Sequence, residues 1–134
     1  MATHRIKDTA LFDKIVAAIS KNGPLSLDTY ISYALGDPDY GYYQTRDPFG
    51  SAGDFITAPE ISGLFGEMCG LYLAHIVELS GLSDPAIFEL GPGRASLIAD
   101  MRHVWQHVMP SLTTAPVHLL ETSFRLRRVQ QDRL

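Results

Sequence analysis

Apolar residues recur at helical spacing in two segments near the start of the chain. The first segment spans about 9–21 and ends at "NGP", where glycine and proline stop a helix. The second spans about 27–35, follows Ser26 as a candidate N-cap and ends in the turn "GDPDYG". These patterns predict a small helical region ahead of the rest of the chain.

Two short β-prone pieces come next, followed by the most strongly periodic segment of the sequence. The pieces at 42–45 and 55–57 flank a polar loop and predict either a loop or a loose hairpin. From about 58 to 79 the apolar residues again keep helical spacing. Thr57 and Glu60 form the T-x-x-E pattern of a capping box, which predicts the start of this long helix.

Small residues form a stripe along one side of the predicted long helix. The stripe consists of Gly63, Gly66, Gly70 and Ala74. Each interior glycine costs a helix up to ~1 kcal/mol relative to alanine, so the stripe indicates a close approach by another group. A packed helix is the favoured occupant, and a ligand is the alternative.

The second half of the chain has the pattern of strand, turn, helix and strand. Apolar runs at 86–90 and 117–121 predict two buried strands, and the segment at about 96–107 predicts the helix between them. A connection of this kind joins parallel strands, and a further helix begins after Ser123. Because two parallel strands do not make a stable sheet, we expect an α/β fold containing only part of a Rossmann-like parallel sheet.

The expected organisation is a helical and loop extension at 1–57, followed by an incomplete cofactor-binding domain at 58–134. The 134 residues are 46% hydrophobic and 19% charged, which is typical of a globular protein. A net charge of −4 argues against nucleic acid as a partner. The single cysteine cannot form an internal disulfide, and no apolar run approaches the ~20 residues of a membrane span.

A glycine-rich corner, "ELGPGRAS", connects the first predicted strand to its helix. At the carboxyl end of a parallel strand, such a corner opens the crevice where ligands bind, and its glycines let the backbone approach them closely. The dinucleotide fingerprint G-x-G-x-x-G matches only in part, because Ser96 stands at the position of the third glycine. A P-loop is excluded because no Gly-Lys-Ser/Thr follows.

The acidic-x-Gly-x-Gly pattern of Glu89, Gly91 and Gly93 suits a ligand that carries positive charge and no phosphate. S-adenosylmethionine has an ammonium group, and Glu121 at the end of the next strand has the chemistry to accept hydrogen bonds from its ribose hydroxyls. Two carboxylates at neighbouring strand ends therefore favour an adenosine with an amino-acid tail. Turn chemistry without a ligand is the alternative.

Three stretches carry a resemblance to a known family. They are "GYYQTRDPFGSAGDFITAPEISGLFGEMCGLYLA", "ELGPGR" and "HLLETSFRLRRVQ". From about Leu25 to its end, the chain closely resembles the N-terminal half of the MidA-like family of S-adenosylmethionine-dependent methyltransferases. This family includes the mitochondrial complex I assembly arginine methyltransferase. The resemblance implies a class I methyltransferase fold, in which helices cover both faces of a seven-stranded sheet.

The resemblance also implies the residues that bind S-adenosylmethionine. The first cofactor motif and the ribose contact would comprise Glu89, Leu90, Gly91, Gly93 and Glu121. The segment 53–60 would fold over the cleft, which makes Asp54 and Thr57 further candidates, although a turn and a capping box explain them equally well. The family usually has glycine where Ala95 stands and proline where Phe124 stands.

No catalytic or metal-binding residue is predicted. Methyl transfer from a sulfonium requires no protein nucleophile, because the enzyme mainly positions the reactants and excludes water. His103 and His107 have a spacing that could chelate a metal, but they lack a Cys or Glu partner and are predicted to face solvent.

The resemblance implies that the full-length protein is a methyltransferase acting on arginine of a protein substrate during respiratory complex assembly, with this chain carrying most of its cofactor-binding half. The chain alone is expected to be inactive. A non-catalytic assembly or interaction module is the first alternative, and a nicotinamide-dependent enzyme is the second. The expected compartment is the cytoplasm for a bacterial protein and the mitochondrial matrix for an organellar one.

Overall fold

The computed structural model describes residues 9–46, 48–49 and 53–134. Two compact units are present, one within Met1–Asp47 and the other within Pro48–Leu134. The boundary drawn from the sequence after residue 57 lies further along the chain, and as a domain boundary of the complete protein it stays a prediction.

The first unit has three helices within its described residues, 9–46. These are α1 (Ala10–Asn22), α2 (Leu27–Gly36) and α3 (Tyr42–Thr45). The α1 helix begins where Thr9 Oγ1 accepts a hydrogen bond from the backbone N–H of Phe12 at 3.2 Å. Lys14 on α1 pairs with the buried carboxylate of Asp37, the residue that follows α2. The two helices predicted from the sequence are therefore confirmed.

The prediction of a strand at 42–45 is wrong, because this segment forms one turn of helix. The backbone N–H of Thr45 donates to the carbonyl of Gly41 at 3.1 Å, and the Thr45 hydroxyl donates to the same oxygen at 2.9 Å. In the described residues no strand pairs with this segment, so its β-prone aromatic residues have no ladder to join. Of the two alternatives, a loop or a hairpin, the hairpin is wrong for the same reason. Among the described residues, Phe55 forms an isolated bridge with Phe49 and no strand pairing with 42–45.

The second unit has a two-stranded sheet and five helices in its described residues. In chain order they are α4 (Ala58–Ile61), α5 (Gly63–Ser80), β1 (Ile87–Leu90), α6 (Ser96–Val108), α7 (Pro110–Thr113), β2 (Val117–Leu120) and α8 (Phe124–Arg133). The predicted strand–helix–strand arrangement is confirmed, and the strands pair in parallel from Ile87 opposite Val117 to Leu90 opposite Leu120. No helix in the described part of the chain combines the length and the apolarity that a bilayer span requires.

The long helix predicted at 58–79 is interrupted at Ser62. This residue has an extended backbone, and its Oγ accepts a hydrogen bond from the N–H of Leu64 at 3.2 Å. Ser62 is therefore the N-cap of α5. The predicted capping box is wrong, because the Thr57 side chain makes no capping hydrogen bond and the Glu60 carboxylate binds Ser96.

The small-residue stripe packs against α6, which confirms the helix as its occupant. A Cβ added to Gly70 would lie 2.6 Å from Val104 Cγ1 and 3.0 Å from Met101 Cα. The fully buried Trp105 donates from Nε1 to the Gly70 carbonyl at 2.8 Å. This contact joins the helix that precedes β1 to the helix that follows it.

Side chains alternate between the two faces of the sheet. Ile87 is buried and joins the core with α5, α6 and α7, and Glu89 lies two residues further along the same face. Phe88, Leu90 and Leu120 are exposed on the opposite face. The strand that leads into the glycine corner thus presents one carboxylate on its core-facing side.

Candidate functional site

Three alternate residues with positive φ build the glycine corner. Gly91, Gly93 and Ala95 have φ of 65°, 55° and 59°. This conformation favours glycine at the first two positions, whereas at Ala95 it costs roughly 1–2 kcal/mol. The N–H of Gly91 donates to the carbonyl of Leu120 at 2.9 Å, which fixes the end of β1 against the end of β2.

A cavity of about 280 Å³ borders this corner. Its walls come from the end of β1, the corner itself, the start of α6 and the segment around α4. The lining residues are Phe49, Thr57, Pro59, Glu60, Glu89, Leu90, Gly91, Pro92, Gly93, Arg94, Ser96 and Leu97. The cavity thus lies at the carboxyl end of a parallel strand, where α/β folds bind ligands.

Glu89 is the chemically distinctive residue of this cavity. Its Oε2 atom is buried and has no hydrogen-bond partner among the residues that the structure describes. Burial raises the pKa of the carboxyl to about 7, because removal from water disfavours the charged form. A cationic group in the cavity would supply both the missing hydrogen bond and the missing charge.

Glu121 follows β2 and is tied to the corner indirectly. Its Oε1 accepts a hydrogen bond from the backbone N–H of Ser123 at 2.8 Å. Its Oε2 lies 3.5 Å from Nε2 of Gln130, which also donates to the carbonyl of Gly93 at 2.7 Å. Gln130 therefore bridges the residue at the end of β2 and the corner after β1.

Glu60 connects α4 to the start of α6. Its Oε1 accepts a hydrogen bond from the Ser96 hydroxyl at 2.5 Å, and its Oε2 lies 3.7 Å from Nη1 of Arg94. Arg133 on α8 donates to Ser96 Oγ at 2.7 Å and to the Arg94 carbonyl at 3.2 Å. These polar contacts hold α4, the corner and α8 together along one edge of the cavity.

Most of the site residues predicted from the sequence meet at this cavity. Five of the seven line it: Thr57, Glu89, Leu90, Gly91 and Gly93. Neither Asp54 nor Glu121 belongs to the described lining, and Asp54 is exposed. Of the two carboxylates predicted to bind one ligand, only that of Glu89 belongs to the described lining, and Gln130 links Glu121 to the corner.

Seven of the twelve lining residues were not predicted as site residues, and neither was Gln130; the contacts of Phe49, Glu60 and Gln130 are the most informative of these. Phe49 lies close to Gly93, since a Cβ on that glycine would meet the Phe49 ring at 3.4 Å. Glu60 was assigned to a cap, and Gln130 was not singled out. Gln130 does carry a signal, because a polar residue four positions after Leu126 lies on the apolar side of a helix.

The two histidines considered as a metal pair are exposed on α6, with ring centroids 5.6 Å apart. Within the described ranges, no cluster of three or more His, Cys, Asp or Glu side chains is arranged to hold a metal ion.

Comparison with protein families gives one match that spans half of the chain. Residues 68–134 match a family described as "Putative S-adenosyl-L-methionine-dependent methyltransferase". The chain belongs to this family. The matched region begins in α5 and includes the glycine corner, Glu89, Glu121 and Gln130.

Curated relatives cover nearly the whole chain but are much longer than it. The chain is 38% identical over 126 residues to the zebrafish (Danio rerio) protein arginine methyltransferase NDUFAF7, mitochondrial, and 36% identical over 125 residues to the human protein of that name. These alignments cover 92% and 91% of the chain, but only 30% and 28% of the relatives. The chain thus spans about a third or less of the length of these relatives.

Solved structures agree with this family assignment. A Burkholderia thailandensis protein crystallised with S-adenosyl-homocysteine superimposes with a TM-score of 0.76 at 27% identity, covering 93% of this chain and 33% of that one. A native structure of a protein from the same organism and superfamily gives a TM-score of 0.66 at 26% identity. The predicted family, the α/β methyltransferase fold and S-adenosylmethionine as the cofactor of the family are confirmed.

Proposed function

We propose that this chain supplies the S-adenosylmethionine site of a methyltransferase that acts on arginine side chains of a protein. The observation that carries the proposal is the buried Oε2 of Glu89, which lies in the wall of the cavity and has no described partner. Leaving a buried carboxylate oxygen unpaired is costly. The ammonium group of an amino-acid tail would remove that cost.

The surroundings of Glu89 suit such a tail. Gly91 and Gly93 present bare backbone to the cavity, so a ligand can approach the main chain closely. Leu90 and Leu97 add apolar surface to the same wall. These features match the general pattern of a small-molecule site, in which a few polar groups orient a ligand held on apolar surface.

The glycine corner favours a nucleoside without phosphate over a dinucleotide. Ser96 stands at the third glycine of the dinucleotide fingerprint, and its hydroxyl is already engaged by Glu60 and Arg133. The buried carboxyl of Glu89 in the cavity wall suits an ammonium group and not a pyrophosphate. These features support S-adenosylmethionine over a nicotinamide cofactor.

The chemistry of the proposed reaction comes from the methyl group on the sulfonium of S-adenosylmethionine. Glu89 and the corner would bind and orient the amino-acid end, and the segment around α4 would limit the access of water to the cavity. The acceptor is proposed from the relatives, which are named protein arginine methyltransferases and mitochondrial. Assembly of a respiratory complex, in the mitochondrial matrix or in a bacterial cytoplasm, remains the proposed setting.

Calorimetric titration of S-adenosylhomocysteine into the protein tests the cofactor assignment. We expect saturable binding at pH 8 and no binding of NADH. Glu89→Gln removes the negative charge while keeping the shape, and is expected to weaken binding about 10- to 100-fold. Glu78→Gln changes an exposed glutamate on α5 and serves as the matched control. Tight binding of NADH, or no heat with S-adenosylhomocysteine at millimolar concentration, would contradict the proposal.

Transfer of a labelled methyl group tests the acceptor. Because the chain alone is expected to be inactive, the assay uses a protein of the relatives' length that contains this chain. We expect that protein to label an arginine-containing protein substrate and to leave the Arg→Lys version of that substrate unlabelled. Cofactor binding without labelling of any arginine would instead support the non-catalytic module.

A further inference from the structure

Gln130 is a buried polar residue on the side of α8 that faces the glycine corner. Only 5% of its surface is exposed, and Leu126, one helical turn earlier, is equally buried. A buried amide is tolerated only when its hydrogen bonds are made. The partners of Gln130 therefore indicate why a polar side chain occupies this position.

Both partners of the Gln130 amide nitrogen belong to the candidate site. Nε2 donates to the carbonyl of Gly93 at 2.7 Å and lies 3.5 Å from Oε2 of Glu121. Both are acceptors, so the amide nitrogen and not the amide oxygen must face them. The two N–H groups of one side chain thus connect the corner after β1 with the carboxylate after β2.

The same contacts orient the Glu121 carboxylate and leave it able to accept further hydrogen bonds. Oε1 receives the backbone N–H of Ser123 at 2.8 Å, and Oε2 faces Gln130. Each carboxylate oxygen has two lone pairs, so each keeps one position for a further donor. A pair of neighbouring hydroxyls, as on a ribose, would fill these two positions.

We infer that Gln130 is a positioning residue for the cofactor, an inference that rests on the proposed function. Its hydrogen bond to the Gly93 carbonyl anchors the amide beside the corner, and from that position its second N–H orients the Glu121 carboxylate that would receive the ribose hydroxyls. Gln130 itself does not belong to the described lining of the cavity. Its loss should therefore weaken the ribose interaction specifically.

Calorimetry on two ligands and two variants tests this role. The ligands are S-adenosylhomocysteine and its 2′,3′-dideoxy analogue, which lacks both ribose hydroxyls. Gln130→Met keeps the approximate volume but removes the donors, and Gln131→Met makes the same change at the exposed neighbouring residue. For Gln130→Met we expect the Kd of S-adenosylhomocysteine to rise about tenfold and the Kd of the analogue to change less than about threefold. Gln131→Met should leave both Kd values unchanged.

A double-mutant cycle separates positioning from a general loss of structure. Glu121→Gln removes the carboxylate that Gln130 is inferred to orient, so adding Gln130→Met to this variant should have little further effect on the Kd of S-adenosylhomocysteine. If Gln130→Met does not fold, Gln130→Asn keeps an amide that is too short to reach both acceptors, and the same selective loss is expected.

The outcomes distinguish the two proposals. Equal weakening of both ligands, or unchanged binding of S-adenosylhomocysteine by folded Gln130→Met, would overturn the inference while leaving the cofactor assignment in place. Failure of the unmodified protein to bind S-adenosylhomocysteine would overturn the proposed function and, with it, the role of Gln130.

Discussion

Substitution of alanine for Gly70 probes the helix contact that supports β1 and the corner. The added Cβ would lie 2.6 Å from Val104 Cγ1, 3.0 Å from Met101 Cα and 3.2 Å from the Met101 carbonyl oxygen. The Val104 side chain has some freedom to rotate away from the added Cβ, but the Met101 backbone cannot move without its helix. The helices α5 and α6 must therefore move apart. That movement also stretches the hydrogen bond from Trp105 Nε1 to the Gly70 carbonyl.

The opposing energies can be compared directly. Alanine in place of glycine stabilises the interior of a helix by up to ~1 kcal/mol. Overpacking a close contact costs roughly 1–3 kcal/mol, and weakening a buried hydrogen bond costs about 1 kcal/mol more. We therefore expect Gly70→Ala to lower the free energy of unfolding by about 1–3 kcal/mol.

Gly63→Ala is the matched control, because its added Cβ would meet Asp100 at 3.6 Å, an ordinary contact distance. Its free energy of unfolding should stay within about 0.5 kcal/mol of the unmodified protein. Urea titration followed by the fluorescence of Trp105, the only tryptophan of the chain, measures both variants. Equal or greater stability of Gly70→Ala would refute the close packing described for these helices.

Three further predictions concern charge and backbone strain. Burial raises the pKa of Glu89 from its ordinary value of 4.5 to about 7, so the folded state favours the neutral carboxyl. The resulting stabilisation is fully present below pH 4.5 and is lost as the pH rises through about 7. Glu89→Gln should therefore have a higher Tm than the unmodified protein at pH 8 and the same Tm near pH 4.5. Lys14 holds the pKa of Asp37 below its usual value, so Asp37→Asn should lower the Tm at pH 7, with the difference shrinking as acid protonates the carboxylate; an unchanged Tm at pH 7 would count against this pair. Ala95→Gly relieves the strain of left-handed backbone but removes a buried methyl group, so its free energy of unfolding in urea titration should stay within ~1 kcal/mol of the unmodified protein. Ala95→Val should lower this free energy by about 2–4 kcal/mol.

Sequence periodicity was sufficient to predict the strands and helices whose structure is decided by their own residues. The strands around Glu89 and Glu121 and the helix between them follow from apolar runs and from the glycine corner. The stripe that ends at Ala74 likewise indicated a helix partner, because glycines repeated along one helical face have few other uses. The resemblance to the family rested on local motifs of this kind.

Features that depend on distant parts of the chain could not be predicted in the same way. The T-x-x-E pattern fits a capping box locally, but the Glu60 carboxylate instead meets Ser96, which comes 36 residues later. At 42–45, β propensity had no paired strand to support it in the part of the chain that the structure describes, and one helical turn formed. Gln130 gains its role only when α8 packs beside the corner, a contact that periodicity alone does not specify.

A crystal structure of the protein with S-adenosylhomocysteine would test the central claim most directly. The distance to measure joins Glu89 Oε2 to the amino nitrogen of the ligand. We predict about 2.7–2.9 Å, as in a charge-assisted hydrogen bond. A ligand bound away from the corner, or one whose amino group leaves Glu89 Oε2 unpaired, would contradict the account.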